Sequence, residues 1–411
     1  MHWPFALVQF FFTLGWTVYV IFLPGLLKLA GIDAAWLPWI LIVDQLLFAA
    51  ADLATGIWLD RSEQFVRAAG NWLTGLVLAA CAVFMLLPFL AHAMPAWLFV
   101  AALFVWVICS SVLRVPPLVL LAKYATPRQP ARMTTPVAAY LFGIGVAGAV
   151  APYLTVLLKN RDPLLPFVLA SVALAVTTLA LRHQLIKPAL LTPPTTPTPQ
   201  AVSLTALNAS TKATIALPLL IAVGLFAFGM QIHAAVNSAK LFIRIAPGVP
   251  LEWLMPLFWA GFSVAMFPVS QWLARGSDPH GIPWWSAGRA LWLAGLLGGM
   301  ALVACATAPT LPILIALQIG AGAAWAVVFL AAITAAAELG RTGHEGKWIG
   351  AILALFALAT VGRIVLVLAL SPGNSGAVGS VIATQLIWVA GLSWLVGAGV
   401  LVRVFARRTG G

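Results

Sequence analysis

The sequence predicts an all-α polytopic membrane protein with twelve transmembrane helices arranged as two six-helix halves. Its 411 residues are 63% hydrophobic and only 8% charged, with a mean hydropathy of +1.05, whereas soluble domains carry roughly 25% charged residues. Its apolar runs are about 20 residues or longer, which suits helices that cross the hydrocarbon layer. Strands of a membrane barrel would instead alternate in polarity over about ten residues.

Polar residues, Pro and Gly divide the chain into twelve predicted spans, numbered one to twelve in chain order. They lie near residues 5–28, 36–58, 71–91, 97–122, 135–158, 164–183, 214–239, 251–273, 288–308, 311–338, 348–370 and 379–403. The first apolar run lacks a basic n-region and a clear small-residue cleavage site. We therefore interpret it as a retained helix and not as a signal peptide.

The longest polar segment, residues 186–213, separates spans six and seven and is rich in Pro and Thr. This composition is typical of a semi-rigid linker, so we predict an N-terminal half at 1–185 and a C-terminal half at 214–411. A faint repeat agrees, because span two ends in Trp58-Leu-Asp-Arg61 and span eight in Trp272-Leu-Ala-Arg275. The shared Trp-Leu-x-Arg at the same place in each half indicates duplication.

Basic residues are distributed unevenly between the predicted loops. With a cytoplasmic N-terminus, fifteen of the 22 Lys and Arg lie on the inner side and five on the outer side. The remaining two, Arg114 and Arg363, lie within spans. This bias predicts cytoplasmic N- and C-termini, in the inner (plasma) membrane of a bacterium. Because the positive charge follows the membrane topology, the formal net charge of +12 is not interpreted as a nucleic-acid-binding surface.

The loop after span two contains Gly56-x-x-x-Asp60-Arg61. Together with the six-plus-six spans and the long central loop, this motif resembles the major facilitator superfamily (MFS) of secondary transporters over the whole chain. The family usually continues with a further Gly and basic residues, where this chain has Ser-Glu-Gln. The resemblance implies the MFS fold and a gating motif at Gly56, Asp60 and Arg61. It also implies that Asp60 docks on the cytoplasmic start of span eleven, where the helix dipole favours an anion.

A finer resemblance is to the glycoside-pentoside-hexuronide cation symporters. Three stretches carry it, namely Asp52-x-x-x-Gly56-x-x-x-Asp60 in span two, Pro117 through Ala125-Thr-Pro to Arg132 after span four, and 338-ELGRTGHEG-346 followed by Arg363 in span eleven. Within the third stretch, Glu338 and Arg341 would belong to the gating motif.

Two residues depart from the pattern of those symporters. Phe48 and Lys123 stand where an acidic residue is common. The carboxylate pair that would hold sodium is therefore absent in its usual form, and a proton becomes the favoured coupling cation.

The four charges within the spans need compensation, because each costs about 2.5 to 3.5 kcal/mol at the centre of a helix on insertion-type scales. Counting about 1.5 Å per residue from the span ends matches Asp52 with Arg114 toward the inner side. The same count matches Asp44 with Arg363 toward the outer side, and the MFS resemblance makes their spans, two and eleven, neighbours. Structural ion pairs are one interpretation of these residues.

A functional interpretation is that at least one carboxylate binds a proton during transport. Desolvation favours a neutral carboxylic acid and a nearby arginine favours the anion, so making and breaking the pair would switch protonation. We assign Asp52 to the coupling site and Asp44 to an outer gate.

Spans one, four, seven and ten line the substrate cavity in the superfamily, and polar groups on them are few. Besides Arg114, the candidate substrate contacts are Trp16, Tyr19, Gln231, His233, Asn237 and Gln318. A packing role competes with substrate binding for each of them. Because amides are sparse, we expect a substrate less polar than a hexose.

The leading functional hypothesis is a secondary active transporter that moves a small molecule by alternating access, with proton symport favoured. An efflux antiporter of the same superfamily is the alternative, because the sequence does not decide the direction of transport. A membrane-embedded enzyme is a third class, but no constellation such as HExxH is found, and no Gly-x-x-x-x-Gly-Lys loop suggests ATP. We predict no cofactor, no metal and no nucleic-acid partner, and we expect a monomer in the lipid bilayer.

Overall fold

The computed structural model describes residues 3–61, 63–124, 131–185, 209–275, 284–341, 343–370 and 385–402. Twelve helices in these ranges are long and apolar enough to cross a membrane, which confirms the predicted number of spans. From span one to span twelve the helices are Trp3–Leu29, Leu37–Arg61, Glu63–Ala93, Ala96–Val112 with Val115–Tyr124, Ala131–Leu158, Leu164–Leu185, Ala209–Ile232 with Ser238–Ile245, Leu251–Leu254 with Pro256–Arg275, Trp284–Thr307, Leu311–Gly340, Glu345–Ala369 and Gln385–Val402.

Span four is not the continuous helix that the sequence predicted. It ends at Val112 and resumes at Val115, so that Arg114 lies in a turn within the span. The residues Pro116 and Pro117 explain the break, because proline has no backbone N–H to donate and its ring clashes with the carbonyl four residues earlier. The break places the Arg114 side chain at an irregular point inside the bundle.

Span seven contains a π-helical segment at His233–Asn237, between Ala209–Ile232 and Ser238–Ile245. Such segments are rare and occur often at functional sites. The helix begins at Ala209, inside the predicted linker of residues 186–213, and the rest of that linker, residues 186–208, lies outside the described residues.

Spans two and eleven run antiparallel and form one seam between the halves. A Cβ on Gly56 would lie 2.1 Å from the Gly346 carbonyl oxygen, and a Cβ on Gly350 would lie 2.4 Å from the Asp52 carbonyl oxygen. Backbones approach this closely only where both helices present small residues. The seam therefore depends on glycine at these positions.

Spans five and eight form the second seam. The rings of Phe142 and Phe267 have centroids 5.5 Å apart near one end, and those of Tyr153 and Trp253 are 5.6 Å apart near the other. Between them, a Cβ on Gly148 would lie 2.6 Å from the Trp259 ring. This seam thus extends over most of the length of both spans.

Candidate functional site

The predicted pair of Asp52 and Arg114 is present. Nη1 of Arg114 lies 3.3 Å from Oδ2 of Asp52, whose side chain is 0% exposed. The contact has the distance of an ion pair but not the angles of a hydrogen bond, and neither oxygen of Asp52 accepts a hydrogen bond in the described part of the chain. A buried carboxylate with one cation beside it and no donor is suited to gain and lose a proton.

Asp44 has a different partner from the predicted one. The Tyr19 hydroxyl of span one donates to Oδ2 of Asp44 at 2.7 Å, and both residues are fully buried. Oδ1 of Asp44 is buried without a hydrogen-bond partner among the described residues. Tyr19 was predicted as a substrate contact, and in this structure its hydroxyl is used inside the N-terminal half.

The expected contact between Asp44 and Arg363 is therefore wrong for this conformation. The contact of Gly350 with the Asp52 carbonyl fixes the antiparallel register and brings Asp44 level with Leu358. Arg363 is five residues further along span eleven, or roughly 7.5 Å at about 1.5 Å per residue. The depths of Asp44 and Arg363, counted from the predicted ends of their spans, do not contain this offset between the two helices.

Four aromatic rings connect the two carboxylates of span two. Trp16 lies 4.7 Å from Phe48 and 4.9 Å from Trp106, and Tyr19 lies 4.8 Å from Trp106, measured between ring centroids. The guanidinium carbon of Arg114 lies 4.7 Å from the centre of the Phe48 ring, within the range of a cation–π contact. Phe48 occupies the position at which an acidic residue is common in the symporters that the sequence resembles. Its ring therefore packs against Arg114 where an acidic side chain would have been expected.

Two of the predicted contacts in the C-terminal half are bonded to each other. Nε2 of His233 and Oε1 of Gln318 are 2.9 Å apart, and the Gln318 amide donates to the Ser238 hydroxyl at 3.2 Å. All three residues are buried. In this conformation the network joins spans seven and ten and is closed to a substrate.

The remaining candidates of span seven have different surroundings. The Asn237 amide donates to the Leu386 carbonyl of span twelve at 2.9 Å, so it serves contact between helices. Gln231 is partly exposed, and its side chain forms no hydrogen bond within the described residues. Of the candidates in this half, Gln231 keeps its amide available.

The docking of Asp60 that the family resemblance implied is confirmed. Its two carboxylate oxygens accept from the backbone N–H groups of Gly346 and Lys347, at 2.8 and 2.7 Å. These groups belong to the first turn of span eleven, where helix N–H groups lack partners and the dipole favours an anion. The contact holds the two halves together at the end of the bundle that contains Asp60, hereafter the Asp60 end.

The other predicted gating residues lie nearby but differ in their contacts. Glu338 and Arg341, at the end of span ten, form an ion pair with each other. Arg61 is exposed at the end of span two. The stretch Ala125-Thr-Pro lies outside the described residues, as do the side chains of Lys123 and Arg132.

Helix packing adds neighbours of the candidate site to which the sequence assigned no role. Phe48 packs against Arg114 and Trp106 against Tyr19, and Gly346 and Gly350 let span eleven reach Asp60 and Asp52. The spacing Gly346-x-x-x-Gly350 was a signal that could have identified the seam, because small residues four apart allow close helix contact.

A twelve-span helical bundle that encloses an ion pair beside a seam between two halves has the architecture of a membrane transporter. The model of the Major Facilitator Superfamily matches residues 5–362. The chain belongs to this superfamily and is an integral multi-pass membrane protein.

Solved transporter structures share the fold over almost the whole chain. A bacterial homologue of the iron transporter ferroportin, in an outward-facing state, has a TM-score of 0.65 and 14% identity over 98% of both chains. The human organic anion transporter MFSD10 (TETRAN) has a TM-score of 0.63 and 16% identity over 97% of this chain and 98% of its own. A variant of the E. coli fucose:proton symporter FucP has a TM-score of 0.61 and 14% identity over 98% of both chains.

At these identities the likeness shows the fold and not the substrate. A sequence comparison with curated proteins gives no significant match.

Proposed function

We propose that this chain is a secondary active transporter that moves a small molecule by alternating access and is driven by proton binding at Asp52, with symport favoured over antiport. The observation that carries this proposal is the Asp52–Arg114 contact. Its carboxylate is fully buried, accepts no hydrogen bond in the described part of the chain and lies 3.3 Å from a single cation. Its backbone carbonyl lies against Gly350 of the other half.

Proton binding at Asp52 would couple chemistry to helix movement through this contact. Desolvation and the neighbouring guanidinium act on the carboxyl in opposite directions, so separating Arg114 from Asp52 changes the proton affinity of the carboxyl. A protonated Asp52 no longer attracts Arg114, and both lie on spans that contact span eleven. Protonation and the seam between the halves are thereby linked.

The seam at the Asp60 end supports an alternating mechanism. Asp60 is bonded to two N–H groups of span eleven, and Gly56 lies directly against Gly346. Opening the Asp60 end requires both the hydrogen bonds of Asp60 and the contact of Gly56 with Gly346 to break. We assign the Asp60 end to the cytoplasm because the basic loop residues are concentrated there, and both termini to the same side because the number of spans is even.

The test of coupling compares uphill accumulation with exchange in proteoliposomes, using a substrate found by thermal stabilisation of the purified protein. Asp52→Asn is expected to abolish accumulation driven by a proton gradient and to retain exchange, because an uncoupled carrier still alternates. Asp162→Asn, at an exposed carboxylate, is the matched control. Unchanged uphill accumulation in Asp52→Asn would exclude Asp52 as the coupling site, and substrate movement opposite to the protons would identify an antiporter.

The orientation has a separate test. Cysteines introduced in the linker of residues 186–213 should resist a membrane-impermeant maleimide in intact cells and react after the cells are opened. Strong labelling in intact cells would reverse the assigned orientation.

A further inference from the structure

The charged groups inside the spans are not equally accessible. Asp44 and Asp52 are both 0% exposed, whereas the Arg114 side chain is 21% exposed and Arg363 is partly exposed. The two carboxylates are therefore enclosed by protein. Of these four charged groups, the two that remain accessible are the positively charged arginines.

Arg114 has most of its hydrogen-bonding capacity free. A guanidinium has five N–H donors, yet no hydrogen bond from the Arg114 side chain is formed within the described residues, and Asp52 meets only Nη1. The guanidinium carbon lies 4.7 Å from the centre of the Phe48 ring, a cation–π contact that leaves the N–H donors without acceptors among the described residues. These donors form a planar, partly exposed fork.

Arg363 likewise has no hydrogen-bond acceptor among the described residues. Its Nε is buried and unbonded there, and the ion pairs of the described ranges do not include it. It follows Phe356 by seven residues, which places both on one face of span eleven, and Phe356 contacts Trp325 of span ten at 5.4 Å. Val365, about 200° away around the helix, is exposed on the outer surface. Arg363 therefore faces the interior of the bundle.

Two arginines without hydrogen bonds are costly in a membrane span. Each costs about 2.5 to 3.5 kcal/mol on insertion-type scales, and neither recovers this through hydrogen bonds with the described residues. A ligand that accepts hydrogen bonds from them would supply the missing partners. Both donors are guanidinium groups, whose fork matches a carboxylate in bidentate geometry better than it matches any neutral group.

We infer that the substrate is an organic anion, a carboxylate on an apolar body, which is drawn in at Arg363 and held at Arg114. By the register of spans two and eleven, Arg363 lies nine residues along span eleven from the position level with Phe48, or roughly 13 Å. Because Phe48 packs against Arg114, the two arginines mark successive points on one path. The ring of Phe48 beside Arg114, with the ring of Trp16 packed against Phe48, suits the apolar body. The Asp52 carboxylate competes with the substrate carboxylate for the Arg114 guanidinium, and a protonated Asp52 no longer does so.

This inference rests on the proposed function in one respect, namely that the substrate passes through the space between the two halves. Its test is an equilibrium measurement that needs no gradient. The purified full-length protein is heated in detergent while its tryptophan fluorescence is followed, with benzoate, benzyl alcohol or benzylamine present, and with hexanoate or hexylamine as an aliphatic pair. We expect the two carboxylates to raise the melting temperature and the alcohol and amines to leave it unchanged.

Four variants connect this stabilisation to the arginines. Arg363→Gln should weaken the benzoate affinity about tenfold, and it leaves no described carboxylate unpaired. Asp52→Asn should strengthen the affinity, because it removes the competitor of Arg114. Arg114→Gln alone would leave Asp52 buried without its cation, so the double variant Asp52→Asn/Arg114→Gln is used and should lose the benzoate response. Arg161→Gln, at an exposed loop arginine, should respond like the wild type.

Stabilisation by the amines, an unchanged benzoate response in both the Arg363→Gln and the double variant, or no response to either carboxylate would overturn the inference. None of these outcomes bears on proton coupling at Asp52, which depends on gradient-driven accumulation. Conversely, a normal carboxylate response together with unchanged accumulation in Asp52→Asn would reject the coupling site and leave the anion site in place.

Discussion

The seam between spans two and eleven predicts a large effect of a single methyl group. In Gly56→Ala the added Cβ would lie 2.1 Å from the Gly346 carbonyl oxygen and 2.7 Å from its carbon. A carbon and an oxygen approach to about 3.3 Å in favourable contacts, so the two backbones must separate by about 1.2 Å at this point. The clash is with main chain, so no rotamer change relieves it.

The separation would disrupt the neighbouring contact of Asp60. Its bonds to the N–H groups of Gly346 and Lys347 are 2.8 and 2.7 Å long, and N–H···O bonds extend to only about 3.2 Å. A hydrogen bond to a charged group contributes about 1.5 to 3 kcal/mol. With partial relaxation, a loss of about 2 to 3 kcal/mol corresponds to a roughly 30- to 150-fold shift away from the conformation closed at the Asp60 end.

Distances between spin labels would measure this shift. Cysteines replace His183 and Arg275, which are exposed at the Asp60 end of spans six and eight, in a protein whose three native cysteines are changed to serine. Gly56→Ala should lengthen the distance between the labels. Gly320→Ala is the control, because a Cβ there meets no atom within 4 Å. A distance distribution in Gly56→Ala equal to that of the control would refute the close contact of the two backbones.

Three further variants test other contacts of the site. Asp60→Asn removes the charge but keeps a hydrogen-bond acceptor, so the same labels should report a smaller opening than Gly56→Ala gives; an equal or larger opening would contradict this. Tyr19→Phe removes the one described donor to Asp44 and should lower the free energy of unfolding by about 1 to 3 kcal/mol; a double-mutant cycle with Asp44→Asn that gives additive values would argue against the bond. Gln318→Ala should lower the melting temperature without changing the choice of substrate, and an altered substrate preference at unchanged stability would make Gln318 a binding residue.

The sequence was sufficient for the features that follow from burial and depth. The twelve spans follow from apolar length, because a helix must be about 20 residues long to cross the hydrocarbon. The pair of Asp52 and Arg114 was predictable because both charges are costly in a span and their depths match. The docking of Asp60 came from the family motif combined with the helix dipole.

Features that depend on how the helices interlock were not predictable. Depths counted from the span ends, together with the resemblance that makes spans two and eleven neighbours, match Asp44 with Arg363, whereas the contact of Gly350 with Asp52 sets a register that separates them. The sequence leaves Asn237 open between substrate contact and packing, and the π-helical segment and the packing of span twelve direct its amide to Leu386. Hydropathy reports which residues are buried, and it does not report how one helix is rotated or shifted against another.

The contact of Asp60 with span eleven also has a consequence for biogenesis. Its partners, Gly346 and Lys347, follow it by 286 and 287 residues. Because synthesis proceeds at about 5 to 20 residues per second, they are synthesised about 15 to 60 s after Asp60. Asp52 waits a much shorter time, because Arg114 is made only a few spans later within the same half. The nascent N-terminal half thus neutralises its deepest charge early, and the link at Asp60 closes last, when the eleventh span has been inserted.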